Sequence, residues 1–466
     1  MEYYDRKPTQ ENLYNTFCND VLGRKREIVT FLKIIDIIDD NYTISLDAPW
    51  GSGKTFFVKQ AKMILDGLNS AVSDNDDSAN STNLIKKIAN RYTAETNNDW
   101  KVTQSHLAVY FDAWSYDDFE EPVLALIYSI LEQLNLNDSD LTKINVDIKQ
   151  LLSGIASMIT GRNITALVES IKKQNFTSGV KSHNDVHDSI ENFFNKILEN
   201  KGTRCDIFID ELDRCNPKFA IKLFERIKHY FTSPHITFIF STNIEELANT
   251  IRCQYGEKFD AERYLDRLFD LRLSLHKPAD MNQYLQTLGD EKSSSNYEII
   301  HDIISEFNFS LREINHYIQA VRIANGVNRN YSTTVIGSII HDICVPIVMA
   351  LKFWNYDEYN RFVAGGNEDL FTRYACRYPM KNVVRQITQK NDPNQDEIQN
   401  VFSQLYHTMF PIDNLIEYGY EGKKIGKLTV RYCDIDNLFQ TVDILCGIPD
   451  INYVKRSESE APSSDN

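Results

Sequence analysis

The stretch Ala48-Pro49-Trp50-Gly51-Ser52-Gly53-Lys54-Thr55 constrains this chain of 466 residues more than any other. It follows the apolar, β-branched run Thr43-Ile44-Ser45-Leu46 and precedes a helical pattern through Phe57, Val58, Ala61, Met63, Ile64 and Leu65. A strand, a tight turn and a helix N-terminus in that order make an anion cradle. Glycines let the backbone N–H groups approach an oxyanion, and the positive end of the helix dipole points at the same spot. The spacing is that of a loop for nucleotide phosphates, with Lys54 as the point charge and Thr55 as a hydroxyl for a divalent ion. Pro49, Trp50, Gly51, Ser52, Gly53, Lys54, Thr55 and Phe56 are therefore the candidate phosphate-binding residues. Ala48 stands where the strict motif has glycine, which costs little if that residue keeps a negative φ.

A second apolar run, Cys205-Asp206-Ile207-Phe208-Ile209, ends in Asp210-Glu211-Leu212-Asp213-Arg214-Cys215. Such a run fits a strand buried on both faces of a parallel sheet, and these sheets present ligands beyond the carboxyl ends of their strands. Asp210 is then placed to reach Mg²⁺, so that Thr55 and Asp210 are the metal candidates, and Glu211 to orient or deprotonate an attacking water. Asp213 and Arg214 read equally as an ion pair at a helix start or as a direct part of the chemistry.

Three more runs, Leu107–Phe111, Ile236–Phe240 and Phe269–Leu275, alternate with helical patterns. The reading is an α/β chain with a five-stranded, mainly parallel sheet built from right-handed crossovers. Asn243, after the fourth run, has two open roles: holding water or a γ-phosphate, and capping the helix that begins Ile244-Glu245-Glu246-Leu247.

The residues resemble a known family at this point. The loop 49–55, the block Tyr110-Phe111-Asp112-Ala113-Trp114-Ser115-Tyr116 with Glu121-Pro122-Val123 downstream, Ile209–Cys215, Arg263–Leu268 and Ser310–Asn315 are together similar to KAP-family P-loop NTPases across roughly residues 20–345. Many members carry Asn where this chain has Asp112, and a second Asp where it has Glu211. The Glu211 departure favours hydrolysis over mere binding. The resemblance implies an ATPase with ATP and Mg²⁺ as ligands and a helical lid, of a kind often found in bacterial anti-phage or plasmid-borne exclusion systems beside a separate effector protein. Arg263 and Arg267, just before the last core strand, are placed to contact a γ-phosphate bound by a neighbouring subunit, which implies a homo-oligomer. Arg312 is placed on a helical segment that folds over the nucleotide as the lid. For each arginine a surface ion pair is the competing reading.

These patterns divide the chain into an N-terminal helical segment (1–41), an NTPase core (42–275), a lid (276–345) and a mostly helical C-terminal extension (346–466) with a disordered tail. Within the core, about 67–105 is expected to be a mobile insertion, because 69–83 is too polar to repay ordering. About 135–190 is expected to be an amphipathic helical insertion for subunit or partner contact.

Fifty basic against 66 acidic residues leave a net charge of −16. That balance argues against a broad electrostatic footprint for nucleic acid, though a local basic groove stays open. Eight cysteines without a C-x-x-C pair read as reduced thiols of a cytoplasmic protein. Some family members insert membrane spans between the second and third strands. Here the richest candidate, 151–161, stops at Arg162 and falls short of the ~20 apolar residues a span requires.

His183 and His187 sit beside Asp185 and Asp188 in a polar stretch and read as surface residues in preference to metal ligands. The pairs His301-Asp302 and His341-Asp342 read as helix turns. Two functions of different class follow: an ATP-hydrolysing assembly enzyme, and a scaffold that nucleotide switches with little turnover. A small-molecule kinase ranks behind both.

Overall fold

The computed structural model describes residues 7–73, 79–96, 101–134, 183–277, 282–287, 297–327, 334–377, 381–390, 392–418 and 421–446. The chain divides into two compact units, Met1–Tyr284 and Leu285–Asn466.

The first unit is built on five parallel strands: β1 (Tyr42–Asp47), β2 (His106–Asp112), β3 (Arg204–Asp210), β4 (Ile236–Thr242) and β5 (Leu271–Ser274). Their order across the sheet is β2-β3-β4-β1-β5. β3 and β4 are buried along their whole length, as their unbroken apolar runs require of strands with helices on both faces. All five strands run the same way, so β1, β3 and β4 deliver their last residues to one end, with Asp47 beside Thr242 and Asp210 beside Ser241.

One face of the sheet packs against Phe193, Phe194, Phe224 and Phe231, and the other against Phe31, Phe57, Ile64 and Ile88. The helix Pro217–Tyr230 follows its Asn216 cap and opens with proline, which suits a first turn because its missing N–H has no helical partner there.

The expected mobile insertion is corrected here. Residues 70–73 are helical, and Ala79–Glu95 is a full helix whose Ile85, Ile88, Ala89 and Tyr92 are buried. It lies against the helix Lys54–Leu68, and the close approach explains Gly67. A Cβ at that position would sit 2.3 Å from the Ile85 carbonyl oxygen and 2.8 Å from the Ala89 Cβ. The polar run 69–83 misled because the apolar positions that order the helix lie at 85, 88, 89 and 92, beyond it. The expected insertion at 135–190 falls mostly outside the described residues. Its end, from His183, belongs to the helix His183–Lys201, which buries Phe193 and Phe194.

Among the described residues, the second unit is helical apart from one antiparallel hairpin, Lys423–Ile425 with Leu428–Val430. Among the described residues one helical run, Val335–Trp354, is long and apolar enough to cross a membrane by length and composition, yet 83% of its apolar window is buried among its neighbours. Tyr317 donates its hydroxyl to the Pro346 carbonyl at 3.1 Å within this packing. His301 and His341 lie in helical segments, each beside its own aspartate, and Asp302 pairs with Arg377 at 2.7 Å, so both His-Asp pairs are local helix contacts.

Candidate nucleotide site

β1 ends in Asp47, and the chain turns through Pro49 to Gly53 before the helix Lys54–Leu68. Gly51 and Gly53 take φ of +77° and +89°, a region closed to most side chains, which is why glycine is needed at both. Ala48 lies outside that region, so its departure from the strict motif brings no backbone strain. The first intrahelical bond runs from the Phe57 N–H to the Gly53 carbonyl. The N–H groups of Lys54, Thr55 and Phe56 therefore belong to the first turn, which has no helical acceptors for them. The Phe56 ring itself packs against the apolar core, so its contribution to the loop is confined to the backbone.

Lys54 is buried, and its ammonium donates to the carbonyls of Ala48 at 2.6 Å and Pro49 at 3.2 Å. Burial pushes its pKa below the ordinary value, and the charges of Asp213, Asp210, Glu211 and Asp47, in that order, resist the push. A positive charge thus sits among four carboxylates at the carboxyl ends of β1 and β3.

Asp210 is 1% exposed and held at both oxygens. Oδ1 accepts from the Glu211 N–H at 3.1 Å and Oδ2 from the Tyr110 hydroxyl at 3.0 Å. Burial, then the charge of Asp210, pushes the Tyr110 phenol well up, so it remains a donor. Glu211 adopts φ +60°, an uncommon conformation for a residue with a side chain, at the turn that leaves β3. Its carboxylate meets the Arg214 guanidinium at 2.5 Å. Burial and then Asp210 push the Glu211 carboxyl above its ordinary value, while Arg214 pulls the other way. A carboxylate raised in this way is a stronger base than a free one.

Asp213 does not pair with Arg214, which corrects the ion-pair reading. Its Oδ2 accepts from the Trp50 indole N–H at 2.7 Å and from the Asn243 backbone N–H at 2.9 Å. Asn243 caps the following helix through its side-chain oxygen, which takes the Glu245 N–H at 3.2 Å. The cap uses Oδ1, and the amide Nδ2 keeps its donor character. Asp112 closes its own turn by accepting from the Ser115 backbone N–H at 3.3 Å and hydroxyl at 2.9 Å.

Two residues that shape the loop went unnoticed in the sequence. Arg24, 4% exposed, donates to the Ser52 carbonyl at 2.7 Å and the His276 carbonyl at 2.6 Å, clasping the phosphate loop to the segment after β5. Burial lowers its pKa to about 10, with Glu27 opposing. Asp47 accepts the Ile244 N–H at 2.9 Å and ties β1 to the same helix that Asn243 caps. Neither carries a periodic or motif signal.

Arg267 stands at the other end of the sheet. It precedes Asp270, whose carboxylate and backbone N–H both bond Thr43 at the start of β1. It cannot reach the phosphate loop of its own chain without crossing the length of that strand, at about 3.3 Å per residue. Arg263 and Arg267 are exposed and form no ion pair among the described residues. Arg312 is exposed on the helix Leu311–Val327 of the second unit. On the surface of the first unit, His187, Asp188 and Glu191 come within 4.8 Å of one another, in place of the His183–His187 pair weighed above. Both ring nitrogens of His187 are already taken, by Asp188 at 3.3 Å and Thr232 at 2.7 Å.

The residues present fit a nucleotide and its metal ion on their own terms. Ser52 Oγ in the loop, and Ser241 Oγ and Thr242 Oγ1 at the end of β4, are buried with no hydrogen-bond partner among the described residues. Thr43 Oγ1 and Ser45 Oγ on β1 share that state, so what distinguishes the first three is their place beside the loop. A glycine-turned loop, a lysine at a helix N-terminus and an aspartate ending the strand two places away define a P-loop NTPase domain, and nucleotide binding with it.

The family model described as the KAP family P-loop domain matches residues 24–328, and the chain belongs to that family. No curated protein matches the chain. Among solved structures, the Aeropyrum pernix ORC2 protein in ADPNP-ADP complexes aligns at 13% identity over 91% of this chain and 94% of its own, with a TM-score of 0.30. A superposition that loose carries no inference about this chain.

Proposed function

We propose that this protein hydrolyses ATP, held as its Mg²⁺ complex, and does so as a homo-oligomer. The observation that carries the reading is the arrangement of Lys54 among Asp47, Asp210, Glu211 and Asp213 at the mouth of a glycine-turned loop. Thr55 and Asp210 are the residues that would hold the metal. Bound there, Mg²⁺ would neutralise phosphate charge and polarise the terminal phosphoryl group.

The chain's own groups supply the rest. The loop N–H groups and Lys54 bind the phosphate oxygens, and the first turn of Lys54–Leu68 adds its dipole. Glu211 accepts the proton of the attacking water as its oxygen bonds the γ-phosphorus and the bridge to the β-phosphate breaks. Asn243, with its oxygen spent on the cap, has an amide N–H to orient that water. An exposed Arg267 supplied by a neighbouring copy would complete the charge, since its own loop is out of reach. Arg312 is assigned to the lid by resemblance to the family.

The same resemblance supports a role in bacterial anti-phage defence beside a separate effector protein. One observation favours the runner-up, a nucleotide-switched scaffold: Glu211 is engaged by Arg214 and must be released before it can act as a base.

The test is ATP turnover by the full chain with and without Mg²⁺, beside size-exclusion elution with and without ATP. We expect metal-dependent hydrolysis and a nucleotide-induced shift to larger species, and loss of hydrolysis in Arg267→Ala that is restored by mixing with Glu211→Gln. Tight binding with negligible turnover would select the scaffold, and an unchanged elution volume would remove the shared arginine.

A further inference from the structure

Asp213 carries one further assignment, which rests on the hydrolase reading and deepens it. The residue is 6% exposed and lies in the short helical turn Leu212–Arg214 after β3. One oxygen, Oδ2, receives two donors from separate parts of the fold: the indole N–H of Trp50 in the phosphate loop, at 2.7 Å, and the backbone N–H of Asn243 at the end of β4, at 2.9 Å. Both donors are rigid groups and both bonds are charge-assisted, so the bridge fixes a separation. Asn243 cannot swing independently either, because its side-chain oxygen is pinned to the Glu245 N–H.

We infer that Asp213 is a positioning residue that ties the state of the phosphate loop to the aim of the Asn243 amide. Trp50 stands between Pro49 and the positive-φ Gly51, so a movement of the loop around phosphate pulls on its indole. Through the shared oxygen the pull reaches the Asn243 backbone, and with it the amide that faces the attacking water in the proposed reaction. Asp213 touches neither phosphate nor water in this account. Its surroundings also explain why the tryptophan is tolerated at 44% exposure, since the indole N–H is satisfied inside while one edge stays wet.

Three variants separate geometry from charge. Asp213→Ala removes the acceptor. Asp213→Asn keeps a carbonyl acceptor and removes the charge. Trp50→Phe keeps an aromatic ring and removes the donor. Expected for Asp213→Ala and Trp50→Phe is a fall in turnover of more than about tenfold with a change in nucleotide Kd below about threefold, because misaimed groups lose the transition state before they lose the ground state. Asp213→Asn should restore most of the turnover. If Asp213→Asn is as impaired as Asp213→Ala while Trp50→Phe behaves as wild type, the charge beside Lys54 is what matters and the bridge is overturned. Loss of binding in step with turnover overturns it as well.

A readout without turnover keeps the two readings apart. The chain has four tryptophans, so the indole N–H spectrum of the full protein offers four resonances, and Trp50→Phe assigns one. That resonance should move in nucleotide-free Asp213→Ala and stay closer to wild type in Asp213→Asn. An unmoved resonance overturns the bridge whatever the turnover. A wild-type protein that binds nucleotide without hydrolysing it, yet shows the shift, overturns the hydrolase reading and leaves the bridge standing.

Discussion

The two ends of the central sheet treat buried charge in opposite ways. At the amino ends of β2 and β3, His106 gives one ring nitrogen to Asp206 at 2.5 Å and the other to Asp36 at 3.1 Å. Asp36 in turn accepts the backbone N–H groups of Thr103 and Gln104. At the carboxyl ends, among the described residues, Lys54 has only two carbonyls of its own loop and Ser52, Ser241 and Thr242 keep hydroxyls without partners. The first end pairs its charges within the protein, although Asp206 Oδ1 and Thr43 Oγ1 have no hydrogen-bond partner among the described residues, and it contributes to stability. The second is held from behind, by Arg24, Tyr110 and Asp213, while its front remains available. The difference lies in the charges: at the first end the imidazole meets two carboxylates inside the protein, and at the second the Lys54 ammonium meets only carbonyls of the loop it serves among the described residues.

The sharpest break in that contrast is expected at Glu211. Glu211→Gln should lower ATP turnover by about a thousandfold or more while leaving binding intact, as expected when a proton acceptor alone is removed. Single-turnover kinetics beside nucleotide titration would show it, and equal losses in both would place Glu211 in binding instead.

Arg24→Ala should come next, destabilising the first unit by about 3–5 kcal/mol, because it leaves the Ser52 and His276 carbonyls without a buried charged partner and opens a cavity. Chemical denaturation measures this, and a change below about 1 kcal/mol would mean that water replaces the guanidinium.

The first end offers a pH test. Burial disfavours the His106 imidazolium, but Asp206 and then Asp36 override it, so His106 titrates above its ordinary value. A folded-state pKa above the unfolded one gives stability that is full below about pH 6.5 and is lost as pH rises through the folded value. Melting temperature should therefore fall as pH rises above about 6.5 in wild type, and His106→Gln should flatten that slope. A slope unchanged in the variant would assign the pH dependence to another group.

Gly67→Ala should cost about 1–3 kcal/mol through the contact with Ile85 and Ala89, a packing effect with no change in nucleotide affinity. Tyr110→Phe should be the mildest, about 0.5–1.5 kcal/mol, since Asp210 keeps the Glu211 N–H. An effect on metal affinity larger than that on stability would move Tyr110 into the open end of the comparison.

What could be read in advance followed the same division. Apolar runs ending in a glycine loop or in Asp210-Glu211 announce strands and their functional ends, because burial on two faces and close backbone approach each demand particular residue types. The strands lie where those runs lie. The helix Ala79–Glu95 was hidden by the Asn and Ser residues at its start, although Ile85, Ile88, Ala89 and Tyr92 already carried the helical period. Arg24 was not legible and Asp213 only in part. Their roles depend on bonds to Ser52, His276, Trp50 and Asn243, and no local pattern encodes partners that far along the chain.

The claim on which the account turns is that buried Lys54, held at the carbonyls of its own glycine-turned loop, clasps a nucleoside triphosphate. Calorimetric titration of ATP with Mg²⁺ into the folded full chain, beside Lys54→Ala, tests it most directly. The account predicts saturable binding at one site per chain that Lys54→Ala weakens by at least about a hundredfold. Equal affinity in the two proteins, or no heat with either, would contradict it.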